Sequence, residues 1–201
     1  MTVRLVLASN NKGKVRELRD ILVDQPLLLV TPSEIGISLD INEDGATYEE
    51  NARLKALAMA TKSNMVALAD DSGLEVDALG GEPGLHSARY AGKDASDIDR
   101  VTLLLKKLEG VPFEKRTAKF RCVIVIATPD GRTGACEGTC SGVISFEPRG
   151  SQGFGYDPVF YFPDLGMTMA ELPSDIKNQV SHRGKAARQV PFLLKKLGIT
   201  G

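Results

Sequence analysis

The stretch from Met65 to Gly92, MVALADDSGLEVDALGGEPGLHSARYAG, decides how the rest of the chain is read. Met65, Val66, Ala67, Leu68 and Ala69 form a short apolar run of the kind a buried strand requires, and the run stops on Asp70 and Asp71. The pattern therefore predicts two adjacent carboxylates at the carboxyl end of a strand. In an α/β sheet that edge gathers the loops that hold ligands. Gly73, Gly80, Gly81, Pro83 and Gly84 follow, and a loop of this composition can bring backbone N–H groups close to an anion. Two readings are open here: metal-assisted phosphate chemistry, or a solvated turn, since Asp70, Asp71, Ser72 and Gly73 are all common turn formers. His86 is expected to pack within the loop.

Toward the N-terminus, Val3 to Ala8 reads as a strand, and Val15, Leu18 and Leu22 fall at helical spacing. The hexapeptide between them, Ser9-Asn10-Asn11-Lys12-Gly13-Lys14, occupies a strand-to-helix turn, where backbone donors meet the positive end of a helix dipole. With two lysines this is either a phosphate cradle or a capped helix with solvated lysines. It is not the G-x-x-x-x-G-K-[ST] loop. Leu27 to Val30 reads as a second strand, and the polar connection from Thr31 to Asp44 carries Glu43. Thr47 and Glu50 have the spacing of a capping box at the head of a helix whose Ala52, Ala56, Met59 and Ser63 form a narrow, mostly small face. Lys55 lies one turn past Asn51 on that helix and taken alone reads as solvated.

Toward the C-terminus, Ile98, Val101, Leu105 and Leu108 mark an amphipathic helix over 94–108 that ends at Gly110. Thr117 to Ala127 and Thr133 to Ile144, separated by Pro129-Asp130-Gly131, predict an antiparallel hairpin that extends the sheet. Next comes Gly153-Phe154-Gly155-Tyr156-Asp157-Pro158, whose aromatics between glycines suit a stacked base better than a packed core. Ser181-His182-Arg183-Gly184-Lys185 leads into a last helix with Ala187, Val190, Leu194 and Leu197 on one face, which Pro191 should break or kink.

A chain of 201 residues with 42% hydrophobic content can bury a substantial core as one domain, or as one domain with two lobes. Its formal net charge of −1 gives no general attraction to nucleic acid or to an anionic membrane, so an anion must be held by a local group of Lys and Arg. A small charged ligand is expected. The start of the chain lacks a signal-peptide pattern, no apolar run is long enough to span a bilayer, and the expectation is a soluble cytoplasmic protein. Cys122, Cys136 and Cys140 are an odd number and predict no disulfide framework; Cys136 and Cys140 fit one strand face better than a zinc site.

Five segments in order, SNNKGKVRE, ENARLKA, ADDSGLEVDALGGEPGLHSARYAG, GFGYDPVFY and SHRGKA, resemble the inosine triphosphate pyrophosphatase family across nearly the whole chain. The resemblance implies an α/β fold with a long mixed central sheet flanked by helices, forming a single domain over residues 1–201 with two lobes and a nucleotide cleft between them. It implies Mg²⁺-dependent hydrolysis of ITP, dITP or XTP to the monophosphate and pyrophosphate, in a homodimer. Residue by residue, the family's phosphate-binding turn falls on Ser9, Asn10, Asn11, Lys12, Gly13 and Lys14, its metal-binding glutamate on Glu43 and its helix lysine on Lys55. Its general base and metal-associated aspartate falls on Asp71, with Ser72 beside it touching substrate and Asp70 in a supporting role. Phe154, Gly155, Tyr156 and Asp157 match the base-binding loop, and Lys177, His182 and Arg183 match the residues that close over purine and phosphates. Tyr48 stands where the family commonly has Phe. Two further readings are a related pyrophosphatase family associated with septum formation, whose serine-proline-arginine-arginine start is missing here, and a regulatory nucleotide binder without hydrolysis. Retention of Glu43 and Asp71 argues against the second, because a pure binder gains nothing from a base beside a metal.

Overall fold

Leu5, Val6 and Leu7 are all fully buried, as a strand covered on both faces requires, and they belong to the first strand, β1 (Val3–Leu7). In the computed structural model, which describes residues 2–38, 41 and 44–199, this strand is followed by α1 (Lys12–Ile21), β2 (Leu27–Val30), α2 (Tyr48–Ser63) and β3 (Ala67–Val76). Then come α3 (Asp97–Lys107), β4 (Thr117–Ala127), β5 (Thr133–Ile144), β6 (Phe160–Phe162), β7 (Met167–Thr168), α4 (Ser174–Val180), α5 (His182–Ala187) and α6 (Val190–Lys196). The strands form one seven-stranded sheet in the order β2-β1-β3-β4-β5-β6-β7. It is mixed. β1 pairs in parallel with β2 and β3, with Val6 opposite Val30 and Ala67, whereas β6 pairs antiparallel with both β5 and β7. Backbone bonds from Thr128 to Arg132 near the turn and from Ile144 to Arg116 at the far end close β4 and β5 into the expected antiparallel hairpin.

The chain divides into two compact units. The first comprises residues up to Asp71, Cys122–Gly138 and those from His182 onward; its core joins Leu5, Leu7, Leu18, Leu68, Ile124 and Ile126 with Ala186, Val190 and Leu194 of the last two helices. In this unit Gly138 of β5 has no room for a side chain, because an added Cβ would lie 2.2 Å from the His182 carbonyl oxygen and 2.4 Å from the Ala186 nitrogen of α5. The second comprises Ser72–Arg121 and Thr139–Ser181, with a core of Leu74, Val76, Leu104, Phe120, Ile144, Tyr156 and Phe160. Cys122 and Cys140 are buried, Cys136 is half-buried, and all three are free thiols.

Several local expectations change. The strand expected to end at Asp70 and Asp71 continues through them to Val76, so the acid pair sits inside β3 rather than at its edge. Alternation explains the extension, since Leu74 and Val76 are fully buried while half-buried Glu75 pairs with Lys119 at 3.1 Å. The turn preference of Asp-Asp-Ser-Gly is overridden by that packing. His86 is exposed instead of packed. Thr47 caps α2 by accepting the Glu50 N–H at 3.1 Å, but Glu50 returns its carboxylate to the Ala46 N–H at 2.7 Å, one residue before the position a capping box would use. α3 starts at Asp97, not at residue 94, because Ser96 and Asp99 make the complete box there. The last helix is two: α5 stops at Ala187, and Pro191 sits in the first turn of α6, where its missing N–H leaves no bond unmade. β6, β7 and α4 are too short to show a periodicity and carry no expectation from sequence.

Candidate functional site

In the first unit, β3 carries Asp70 and Asp71 with the alternating geometry of a strand, and each meets its own cations. Lys55, delivered by α2, donates to Asp71 Oδ1 at 2.9 Å and to the Asp70 carbonyl oxygen at 2.9 Å. The lysine that reads as solvated from sequence is 6% exposed. Asp70 is 1% exposed, and its Oδ2 receives Lys14 Nζ at 3.1 Å together with Nε and an Nη of Arg183 at 3.3 and 3.2 Å. The other Nη of Arg183 donates to Glu17 Oε2 at 2.6 Å. Lys14, Glu17, Asp70 and Arg183 therefore form one ion network, most of it removed from water. Burial alone pushes the Asp70 carboxyl up, but Lys14, Arg183 and Lys55 outweigh it and hold its pKa well below the usual carboxylate range. Burial likewise lowers the Arg183 pKa, and the carboxylates of Asp70 and Glu17 more than reverse this, so its charge is secured. Cys122 approaches Asp70 Oδ2 at 3.9 Å; burial, reinforced by that carboxylate, raises its pKa and keeps it a neutral thiol.

Lys14, Arg183 and Cys122 all meet Asp70 at Oδ2. Asp70 Oδ1 is buried and has no hydrogen-bond partner among the described residues. A bare carboxylate oxygen beside a second carboxylate is the hard-oxygen donor chemistry a divalent cation takes. Among the described residues no group of three or more His, Cys, Asp or Glu gathers as a ligand set, and Glu43 lies outside the described residues. The segment after it is anchored, with Gly45 N donating to Asn51 Oδ1 at 2.8 Å.

The turn before α1 is also built by side chains. Asn11 is the N-cap and accepts the Lys14 N–H at 3.1 Å, while Ser9 Oγ accepts the Asn11 N–H at 3.2 Å. Asn10, Asn11 and Lys12 are exposed, Ser9, Gly13 and Lys14 half-buried. Capping and an anion-facing lysine thus coexist, since the cap engages the Lys14 backbone and leaves its ammonium for Asp70.

The second unit holds a different group. Ser72, half-buried, continues β3. Asp157 Oδ2 accepts Lys177 Nζ at 2.5 Å and the Phe154 N–H at 2.8 Å, and Lys177 stands 5.2 Å from the centroid of the Phe154 ring. Gly153, at φ +79°, is required because a Cβ there would lie 2.0 Å from Asp157 Oδ2. Tyr156 is 4% exposed, packs in the core and donates its hydroxyl to the Ser87 carbonyl at 2.9 Å; burial raises its pKa. Of the two aromatics read as stacking surfaces, Tyr156 is the packed one, and Phe154 is half-buried.

Structure thus brings together Lys14, Lys55, Asp70, Asp71 and Arg183 in one unit and Phe154, Asp157 and Lys177 in the other, while buried His182 opens α5. Sequence reasoning missed Glu17. Its signal was position, one turn after Lys14 and next to Leu18 on the buried face of α1.

Fold and site together define an α/β protein whose mixed sheet carries an acid pair met by lysines from the flanking helices, an arrangement suited to handling a polyanion. The chain belongs to the Ham1 family, whose model matches residues 5–191. It is 51% identical over 197 residues to a dITP/XTP pyrophosphatase of Desulforamulus reducens, covering 98% of each chain. It is 45% identical over 190 residues to one of Bacillus subtilis, covering 94% of this chain and 96% of that one. Among solved structures, a HAM1 protein from Coxiella burnetii superimposes with a TM-score of 0.86 at 41% identity, covering 97% of this chain and 100% of that one. The Ham1 protein of Staphylococcus aureus gives 0.84 at 44%, covering 96% and 99%.

Proposed function

We propose that this chain hydrolyses non-standard purine nucleoside triphosphates, dITP, ITP and XTP, to the monophosphate and pyrophosphate. The supporting observation is Asp71, ion-paired with Lys55 next to a second acid whose Oδ1 is bare, in a chain half identical to a relative called dITP/XTP pyrophosphatase. A triphosphate carries about four negative charges, which repel an attacking water until cations offset them. The metal is read as Mg²⁺, held by Glu43 and Asp71, with the bare Oδ1 of Asp70 on the residue before Asp71; when bound it would neutralise phosphate charge. Lys12 and Lys14, at the head of α1, bring further positive charge to the phosphates, with Ser9, Asn10, Asn11 and Gly13 supplying the turn.

Asp71 orients the water and takes its proton, and Lys55 holds that carboxylate in place. Lys55 also grips the Asp70 carbonyl, so one ammonium ties the Asp71 carboxylate to the β3 backbone. Ser72 touches substrate next to the base. Phe154, Gly155, Tyr156 and Asp157 form the base loop, with Lys177, His182 and Arg183 completing the set. Within that set the geometry supports a more specific part for Arg183, which holds Asp70 between itself and Lys14.

We read residues 1–201 as a single domain, because β3, β4 and β5 each contribute residues to both compact units. Among the described residues no helix is long and apolar enough to cross a membrane. The reading places the enzyme in the cytoplasm as a homodimer. Purified protein should release pyrophosphate from ITP, dITP and XTP in the presence of Mg²⁺, and far more slowly from ATP and dTTP. Release of inorganic phosphate instead, or nucleotide binding without turnover, would overturn the reading.

A further inference from the structure

Two consecutive amides of the Gly153–Asp157 loop end on carboxylates from different parts of the second unit. Phe154 N donates to Asp157 Oδ2 at 2.8 Å, inside the loop, and Gly155 N donates to Asp97 Oδ2 at 2.7 Å, on α3. Asp97 is the first residue of α3 and is not needed to cap it, since Ser96 and Asp99 already make the capping box. An acid in a first turn ordinarily does no more than complement the helix dipole. Here, however, the carboxylate is held from behind. Its Oδ1 pairs with Arg100, and Arg100 also donates to the Ala88 carbonyl at 2.8 Å and the Ala95 carbonyl at 2.7 Å. Tyr156 ties the same loop to the Gly84–Arg89 turn through Ser87. Gly155 has φ +64°, a conformation few side chains adopt, so its N–H direction is set by this backbone shape and by the acceptor that meets it.

We propose that Asp97 is a positioning residue for the nucleotide base: by fixing the Gly155 amide it sets the angle of the neighbouring Phe154 ring. The proposal rests on the reading above that this loop takes the base. A stacking ring gains affinity for any base but only in the right plane, so a loosened loop costs substrate binding and leaves the phosphate chemistry alone.

The chain has no tryptophan, which makes Phe154→Trp a single-site reporter. Asp97→Ala should raise KM for ITP about tenfold, the loss expected for one partly exposed hydrogen bond to a charged group, with kcat within about threefold of the parent. Asp97→Asn keeps one oxygen that can accept the Gly155 N–H but turns an amide NH2 toward Arg100, so it should recover part of the KM loss, with a KM clearly below that of Asp97→Ala. In the Phe154→Trp background without nucleotide, Asp97→Ala should increase acrylamide quenching of the introduced indole. If the alanine variant does not fold, Asp97→Ser, polar but too short to reach Gly155, takes its place. A lowered Tm with KM unchanged, asparagine no better than alanine, or quenching unaltered would each overturn the proposal. Failure of the parent protein to hydrolyse ITP would sink the functional reading, and the quenching comparison would still decide whether Asp97 anchors the loop.

Discussion

The two units each contain a buried carboxylate–lysine pair, Asp71 with Lys55 at 2.9 Å and Asp157 with Lys177 at 2.5 Å, and the pairs are employed differently. Asp157 spends its oxygen on a loop amide as well as on its lysine, so its charge shapes backbone. In the other pair the lysine takes the backbone oxygen instead, since Lys55 grips the Asp70 carbonyl as well as the Asp71 carboxylate. A pair that builds a loop and the pair proposed to do the chemistry therefore look alike as residue types and separate by what else the ion touches.

Substituting the same way in both pairs tests the difference most sharply. Asp71→Asn should fold and bind nucleotide but lose about 10²–10⁴-fold in kcat, the usual cost of a missing general base, because an amide cannot take the proton. Asp157→Asn should instead show its loss in KM and in Tm. Steady-state pyrophosphate release and a thermal melt distinguish them, and equal kcat losses would break the contrast.

The next effect is on stability. Arg183→Met leaves Glu17 and Asp70 buried with less positive charge around them and should destabilise by about 3–5 kcal/mol in a urea titration, the range for breaking a buried ion pair. The pH dependence follows in sign. Asp70 has a lowered folded pKa, so its contribution is complete above its ordinary value near pH 4 and is lost only as pH falls through the lowered one. Removing one of its cations moves the folded value back toward the unfolded one, so in Arg183→Met the loss of stability on acidification should be smaller and should finish at a higher pH than in the parent. An equal loss over the same pH range in both proteins would show that Arg183 does not hold Asp70.

A smaller effect is expected at Lys14, where alanine should weaken triphosphate binding by about 1.5–3 kcal/mol and monophosphate binding by less. Calorimetry with both ligands settles it, and equal weakening would place the ammonium away from the terminal phosphates. Smallest is Phe154→Ala, at about 1–3 kcal/mol per stacked base and nearly even across nucleotides. A loss confined to ITP would make the ring a selector rather than a platform.

Much of this was legible in sequence because periodicity is a local property. β1, α1, β2, α2 and the hairpin were readable from the spacing of their apolar residues, and the family motifs pointed to both acids and to Lys14 and Lys55. What escaped depends on partners far along the chain. Asp70-Asp71-Ser72-Gly73 looks like a turn until Lys14, Lys55 and Arg183 arrive from three helices to satisfy it as strand. Glu17 looks like one more solvated acid on α1, and its role exists only through a guanidinium 166 positions later. Tyr156 sits between glycines like a stacking ring, and its hydroxyl reaches a carbonyl 69 positions away. Each is a tertiary contact that no window of ten residues contains.

Gly138 carries a consequence for how tightly the charges around Asp70 are held. With the His182 carbonyl oxygen 2.2 Å from where its Cβ would stand, the strand acts as a stop against which α5 rests, and Arg183 is the residue immediately after the point of rest. A single methyl group at position 138 would act as a shim under the helix. It would lift the guanidinium off Asp70 without touching any charged atom, so a neutral substitution on an inner strand should register as a change in the electrostatics of the acid pair.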